Sequence, residues 1–294
     1  MPRHSWDDLP AVVRAAVERE TGAVFSAESP SAGRNSDFSA VVHAAGGIVF
    51  CKGIEGAAGR RGRMHRHEAD INQWLPPAIA PRLLWRVVAG DWLVLGFERV
   101  PGRYADLSPG SADLPLVAGL VDSMADGLAR CPGDAPRLAE QWARLAAWRR
   151  IAQRVPGELD EWVRRHLDDL IAWERVALEV ADGDNLVHTD LHPLNILVDG
   201  NAARAVDWAW SRKGNPAVDV AFLGVRLVMA GHQPSEAQEW AEGLVCWART
   251  PSRARTALAV AVWGIWEYMG RTQPSVLWAE RTNAARAWAL HRQI

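Results

Sequence analysis

Asp190, Asn195 and Asp207 are the groups in this chain whose types and spacing suggest chemistry. Asn195 leads into an apolar run, Ile196-Leu197-Val198. Asp199-Gly200-Asn201 follows, and a second run, Ala203-Arg204-Ala205-Val206, ends on Asp207. Asp199-Gly200 between two strand-forming runs is a strong hairpin signal. A hairpin here folds Asp207 back beside Asn195, with Asp190 close by. A carboxylate and an amide oxygen then converge on one point. Oxygens of this kind suit a hard cation such as magnesium, which keeps several waters and also binds substrate phosphates. Asp190 is left to accept a proton. The same stretch admits a rival reading. His188-x-Asp190-x-His192 on an extended segment puts three side chains on one face, as a zinc hydrolase site requires. No second histidine cluster follows it, however, and zinc gives no role to Asn195, Asp207, Lys52 or Glu68.

The elements that must position these groups can be read in order. Residues 7–20 carry Leu9, Val12, Val13, Ala16 and Val17 between charges, which predicts a short amphipathic helix. Strands are expected at 23–27, 38–44 and 48–53, forming a meander. The loop between the first two, Glu28 to Asp37, is small and polar, and its backbone N–H groups could lie over phosphates. Gly33 is its only glycine, so an ordinary solvated hairpin loop is an equal reading. Lys52 ends a strand that is apolar on both faces, so periodicity does not orient it. Taken alone it reads as a lysine snorkelling at a strand end. A helix is expected from about Met64 until Pro76-Pro77 stops it. Glu68 on that helix reads first as a solvated glutamate, with an ion pair to Lys52 as the alternative. His65 and His67, two apart on a helix, face different ways and read as surface residues rather than metal ligands. Two more strands, 83–88 and 92–98, complete a sheet of about five strands with one packed helix. Arg99-Val100-Pro101-Gly102 is then a natural crossing point.

Beyond the crossing the pattern changes. Residues 116–130, 136–155, 158–180, 216–230, 235–250, 252–269 and 275–292 all show helical apolar spacing, interrupted once by the hairpin. With 294 residues there is room for two lobes, each with a core. The formal charge of -2 argues against a general nucleic-acid binder. No apolar run reaches the length of a membrane span, and residues 257–266 read as a buried helix. Cys51, Cys131 and Cys246 are too scattered for a metal pair or a disulfide framework, and a cytoplasmic setting fits them. The 16 Trp residues fall mostly at helical spacing and read as core.

Lys52, Glu68, His188-x-Asp190, Asn195 and Asp207 together resemble the aminoglycoside phosphotransferase and choline kinase branch of the protein-kinase-like fold. Val187 to Leu197 is the specific part, extended by Ala205-Val206-Asp207-Trp208 and by Gly214-Asn215-Pro216-Ala217-Val218-Asp219. The resemblance covers most of the chain to about residue 230. It implies an α+β, bilobal fold: a nucleotide-binding lobe over residues 1–98 and a helical lobe over 99–294 carrying the catalytic loop and acceptor site. It also implies ATP or GTP and Mg2+ as cofactors. In that family Lys52 would bind the α- and β-phosphates, held by Glu68. Ser31, Gly33 and Ser36 would cover the phosphates, and Glu98 to Val100 would meet the adenine. Asn195 and Asp207 would hold magnesium, Asp190 would deprotonate the acceptor, and Asp219 would brace the catalytic loop. Phosphoryl transfer needs positioning and charge neutralisation more than covalent help, which such a set supplies. Thr189 and Leu194 depart from the glycines common in the family. All the charged positions are intact, which weighs against an inactive binding module. The implied partner is a small hydroxylated molecule: an antibiotic, choline or another amino alcohol, a sugar or another metabolite. From Pro251 onward, Arg253, Arg255, Arg271, Arg281, Arg286 and Arg292 outnumber Glu267 and Glu280, which disfavours a polycationic aminoglycoside. The sequence carries no signal of oligomeric state.

Overall fold

The computed structural model describes residues 4–30, 36–129, 135–154 and 159–292. The chain opens with α1 (Ala11–Thr21), β1 (Val24–Glu28), β2 (Phe38–Ala44) and β3 (Gly47–Glu55). It continues through α2 (Arg60–Asn72), β4 (Leu83–Ala89), β5 (Trp92–Glu98) and the short β6 (Arg103–Tyr104). Helices α3 (Leu114–Gly127), α4 (Leu138–Leu145), α5 (Ala147–Arg154), α6 (Glu161–Arg165) and α7 (Leu167–Ala181) follow. Then come β7 (Asn185–Val187), β8 (Ile196–Asp199), β9 (Ala202–Ala205) and β10 (Arg212–Gly214). The chain ends with α8 (Ala217–Met229), α9 (Pro234–Glu242), α10 (Val245–Ala248), α11 (Ser252–Thr272) and α12 (Val276–His291). These elements gather into two compact units, residues 1–105 with 194–210, and residues 106–193 with 211–294.

The first unit is built on an antiparallel sheet in the order β1-β2-β3-β5-β4. Both faces of the sheet are covered. On one side α1 lays Val13, Ala16 and Val17 against Phe38, Ala40, Val42, Cys51 and Val94. On the other, Ile54, Leu93, Leu95 and Phe97 pack with Ala69 of α2. The expectation of a sheet with one packed helix is therefore corrected to two, one per face. Double coverage also explains why β3 reads as apolar throughout. Alternation settles what composition did not: Cys51 belongs to the α1 side, so Phe50, Lys52 and Ile54 face α2. The hairpin of β8 and β9 joins this unit through β6, which pairs Arg103 with Val198. Gly102 makes that approach possible. Its φ is +110°, and a Cβ there would stand 2.2 Å from the Val198 carbonyl oxygen.

The second unit is helical, with a short ribbon in which β7 pairs with β10. Its core holds the fully buried Trp148, Trp247, Trp263 and Trp288. Trp148 meets Trp263 edge-on at 4.9 Å, and its indole N–H donates to the Val260 carbonyl at 3.0 Å. The apolar run at 257–266 lies in the middle of α11 and is buried, as its composition suggested, except for the half-buried Ile265. Two expected helices are broken. The run 136–155 divides at Ala146, whose φ of 44° turns the chain between α4 and α5. The run 158–180 divides at His166, which stacks on Trp162 at 4.1 Å. Among the described residues no helix is long and apolar enough to cross a membrane.

Candidate active site

In the first unit Lys52 lies at the centre of a buried charge cluster. Its Nζ is 2.9 and 2.7 Å from the two Glu68 carboxylate oxygens and 2.9 Å from Asp207 Oδ1. Glu68 is buried and paired, which corrects its reading as a solvated glutamate. The β3–α2 packing brings its helix over the strand face that carries Lys52. Burial opposes the ammonium charge of Lys52, but the carboxylates of Asp207 and Glu68 outweigh it and hold the lysine charged. Burial pushes Glu68 up to about 7, with Asp207 adding repulsion and Lys52 opposing the rise. The lysine thus sits between two carboxyl groups, of which Glu68 is the one burial makes harder to ionise.

Asn195 and Asp207 meet as the hairpin requires. Ile196 pairs with Ala205, and the Val206 N–H donates to the Asn195 carbonyl at 2.9 Å. The turn itself is Gly200-Asn201, one residue beyond the pair that signalled it. Asp199 and Ala202 close it, and Gly200 is at φ +56°. Asp207 holds φ 65°, an uncommon backbone region for a non-glycine residue. Both residues line a cavity of about 390 Å³, as do Lys52, Glu68, Ser36, Glu98 and Val100. An amide oxygen and a carboxylate are donors that fit Mg2+, which takes few protein ligands and completes its shell with water and phosphate. Ser31 and Gly33 lie outside the described residues.

Ser36 is held from α2. Its neighbour Asp37 accepts from Arg61 Nη1 and from the Glu55 N–H, both at 2.9 Å. Ser36 Oγ is 3.2 Å from His65 Nε2, and His65 Nδ1 is 3.1 Å from the Arg61 carbonyl. A carbonyl only accepts, so Nδ1 carries the proton and Nε2 accepts from the serine. His65 is thus buried, not a surface residue as its spacing suggested, because both ring nitrogens find partners. Burial, reinforced by the charge of Lys52, pushes its pKa down to about 4, and the ring is neutral.

In the second unit Asp190 follows β7 on a loop braced from α8. The Asp219 carboxylate accepts the N–H groups of His188 at 2.8 Å and Thr189 at 2.7 Å. Burial pushes Asp219 up to about 6 while those two bonds pull it down. Thr189 sits at φ 65°, which gives the physical reason a glycine suits that position. His188 is fully buried, and its Nδ1 accepts the Asp190 N–H at 3.3 Å. It braces the loop instead of facing a metal beside His192. Among the described residues no three His, Cys, Asp or Glu side chains gather as a metal site. Asp190 has His192 Nε2 at 3.9 Å and Arg226 Nη2 at 4.0 Å.

The sequence profile of APH, a phosphotransferase enzyme family, matches residues 58–258, about two thirds of the chain. The chain belongs to this phosphotransferase enzyme family. Its fold agrees with solved structures at low identity. The crystal structure of aminoglycoside phosphotransferase APH(4)-Ia gives a TM-score of 0.68 at 15% identity, covering 96% of this chain and 99% of that one. A thermostable mutant of that enzyme, in a ternary complex with AMP-PNP and hygromycin B, gives 0.65 at 16%, covering 95% and 98%. Choline kinase LicA from Streptococcus pneumoniae gives 0.61 at 12%, covering 95% and 98%. No curated protein matches the sequence. The α+β protein-kinase-like fold is thus shared with these enzymes, and the chain is a phosphotransferase.

For this phosphotransferase, reasoning from sequence missed Arg226. It is 7% exposed on α8, in a helix whose composition reads as core. The available signal was its spacing: Asp219 and Arg226 are seven apart, so they share a helix face.

Proposed function

We propose that this protein transfers the γ-phosphoryl group of ATP, or of GTP, to a hydroxyl of a small molecule. The observation that carries this reading is the Lys52–Glu68–Asp207 cluster in the wall of the first unit's cavity, in a chain of the phosphotransferase family. A phosphate-binding lysine held between two carboxylates is pre-organised for a polyanion, so little reorganisation is required when nucleotide binds. The relative that binds AMP-PNP supports ATP as donor. Residues 1–98 would form most of the nucleotide lobe. Lys52 would contact the α- and β-phosphates, positioned by Glu68, with Glu98 and Val100 along the base and Ser31, Gly33 and Ser36 over the phosphates. Asn195 and Asp207 would hold Mg2+, which supplies neutralisation of phosphate charge when bound. Asp190, in the 99–294 lobe, would orient the acceptor hydroxyl and take its proton. Asp219 holds the backbone on which Asp190 rides. The setting we infer is the cytoplasm, with no nucleic-acid or membrane partner.

The test is to incubate the protein with ATP, Mg2+ and a library of hydroxylated small molecules, reading mass gain of one phosphate. Product that depends on Mg2+ and is lost in Asp190→Ala is expected. Full activity in Asp190→Ala, or no phosphorylated product from any acceptor, would count against the reading.

A further inference from the structure

Arg226 makes few contacts for a buried guanidinium. It offers five N–H donors. Among the described residues its hydrogen-bond partner is the Met229 thioether, with Nη1 at 3.8 Å from Sδ, a weak acceptor. Nε is buried with no hydrogen-bond partner. Nη2 is 4.0 Å from Asp190 Oδ1, beyond hydrogen-bond distance. Its guanidinium carbon lies over the Trp266 ring, 4.9 Å from the centroid. Burial, with Arg281 close enough to add its repulsion and Asp190 opposing, lowers its pKa to about 10, so it remains charged near neutrality. A buried cation without acceptors is costly.

We propose that Arg226 is an oxyanion subsite beside Asp190, so that the acceptor bears a carboxylate or phosphate near the hydroxyl that is phosphorylated. The inference rests on the reading of Asp190 as the base. If Asp190 receives the hydroxyl proton, atoms a few ångströms along the acceptor fall beside Arg226. A planar guanidinium binds an oxyanion through two parallel hydrogen bonds, which would satisfy donors that the protein leaves unmatched. Charge points the same way. Arg281 is close enough to Arg226 to add to the positive charge there, with Asp190 opposing. A cationic group placed beside Arg226 would meet like charge, which is strongly discriminating. The recognised chemistry is an anionic oxygen group on an alcohol. Hydroxy acids and phosphorylated alcohols are its two sources.

Two measurements test this. The first compares kcat and KM, with ATP and Mg2+, for hydroxy acids, their methyl esters, phosphorylated alcohols, neutral polyols and polycationic aminoglycosides. We expect kcat/KM at least tenfold higher for an acid than for its ester. In Arg226→Gln the KM for the acid should rise at least tenfold with a smaller change for the ester, and Arg226→Lys should recover part of it. Whichever anionic class gives the larger preference names the source. Product confined to neutral or cationic acceptors, or equal KM changes for acid and ester in the variant, overturns the proposal. The second uses the unmodified protein. The Arg226 Nε–H resonance, assigned by its loss in Arg226→Lys, should shift on titration with glycerate or inorganic phosphate and not with glycerol. An unmoved resonance overturns the subsite even if catalysis is found. A shifted resonance with no ATP turnover for any acceptor would instead overturn the phosphoryl-transfer reading.

Discussion

The two units treat their functional charges in opposite ways. In the first, Lys52, Glu68 and Asp207 stand within 2.9 Å of one another's nearest charged atoms along two ion pairs, and the lysine and glutamate are buried. In the second, Asp190 lies 3.9 Å from His192 Nε2 and 4.0 Å from Arg226 Nη2 and is part-exposed. The first arrangement is complete before any ligand arrives, so its strength comes from mutual pairing in a low-dielectric setting. In the second, Asp219 fixes the backbone of the loop on which Asp190 sits. In the proposed reaction the nucleotide is the same in every turnover and suits a site whose charges are already paired.

The contrast predicts that each unit fails differently. Asp190→Ala should lower kcat by about 10²–10⁴-fold, the range for losing a positioned general base, with little change in melting temperature. A comparable loss of stability would place Asp190 in the framework and end the contrast. Lys52→Met should cost stability as well as activity. It strands two carboxylates around an apolar side chain, and breaking a buried pair costs about 3–5 kcal/mol. Urea denaturation reads this directly, and adding Glu68→Leu to the variant should return part of the loss. No recovery in the double variant would show that the two side chains are not coupled.

Asp219 offers a finer test through pH. Its folded pKa, about 6, lies above its ordinary 3.8. The folded state therefore binds this proton more tightly than the unfolded chain does. The associated stability is complete below about pH 4 and is lost as pH rises through about 6. Asp219→Asn should flatten that fall, so the stability gap between wild type and variant narrows as pH rises from 4 to 7. Parallel curves would show that this carboxylate is not the titrating group. The smallest effect is expected at Thr189. Glycine relieves a left-handed conformation that costs an L-residue about 1–2 kcal/mol, and the added freedom of the unfolded chain returns part of this. Thr189→Gly should stabilise by about 1 kcal/mol or less and keep activity, while Thr189→Ala keeps the strained φ and should give no gain.

Much of the first unit could be read from residue order because its elements are short and sharply bounded. Phe38–Ala44 and Trp92–Glu98 form strands where their apolar runs lie, each ended by turn residues. The hairpin after Asn195 followed from Asp199-Gly200 between two strand-forming runs. What escaped depended on partners far away in sequence. Composition orients His65 toward water, and only Ser36 and the Arg61 carbonyl explain its burial. Ala146 has no propensity for the left-handed turn that separates α4 from α5, so nothing local announces that break. Helix α2 begins at Arg60, within a Gly/Arg stretch that lacks apolar periodicity, so its first turn was invisible to a pattern that started at Met64. Arg226 was hidden for a related reason, since a cation inside an apolar helix has meaning only once its neighbours are known.

The first unit is interrupted in the chain: residues 1–105 are completed by 194–210. Ala205 donates its N–H to the Ile79 carbonyl at 2.8 Å, and β8 pairs with β6. During synthesis the first 105 residues therefore leave the ribosome well before the segment carrying Asn195 and Asp207. Until then Lys52 has Glu68 but not Asp207, and β6 has no strand beside it. The cavity of the first unit is thus finished only when a segment made after α3 to α7 joins the sheet. An expression fragment ending at Ala105 would carry the sheet and Lys52, and would lack the residues that complete the site.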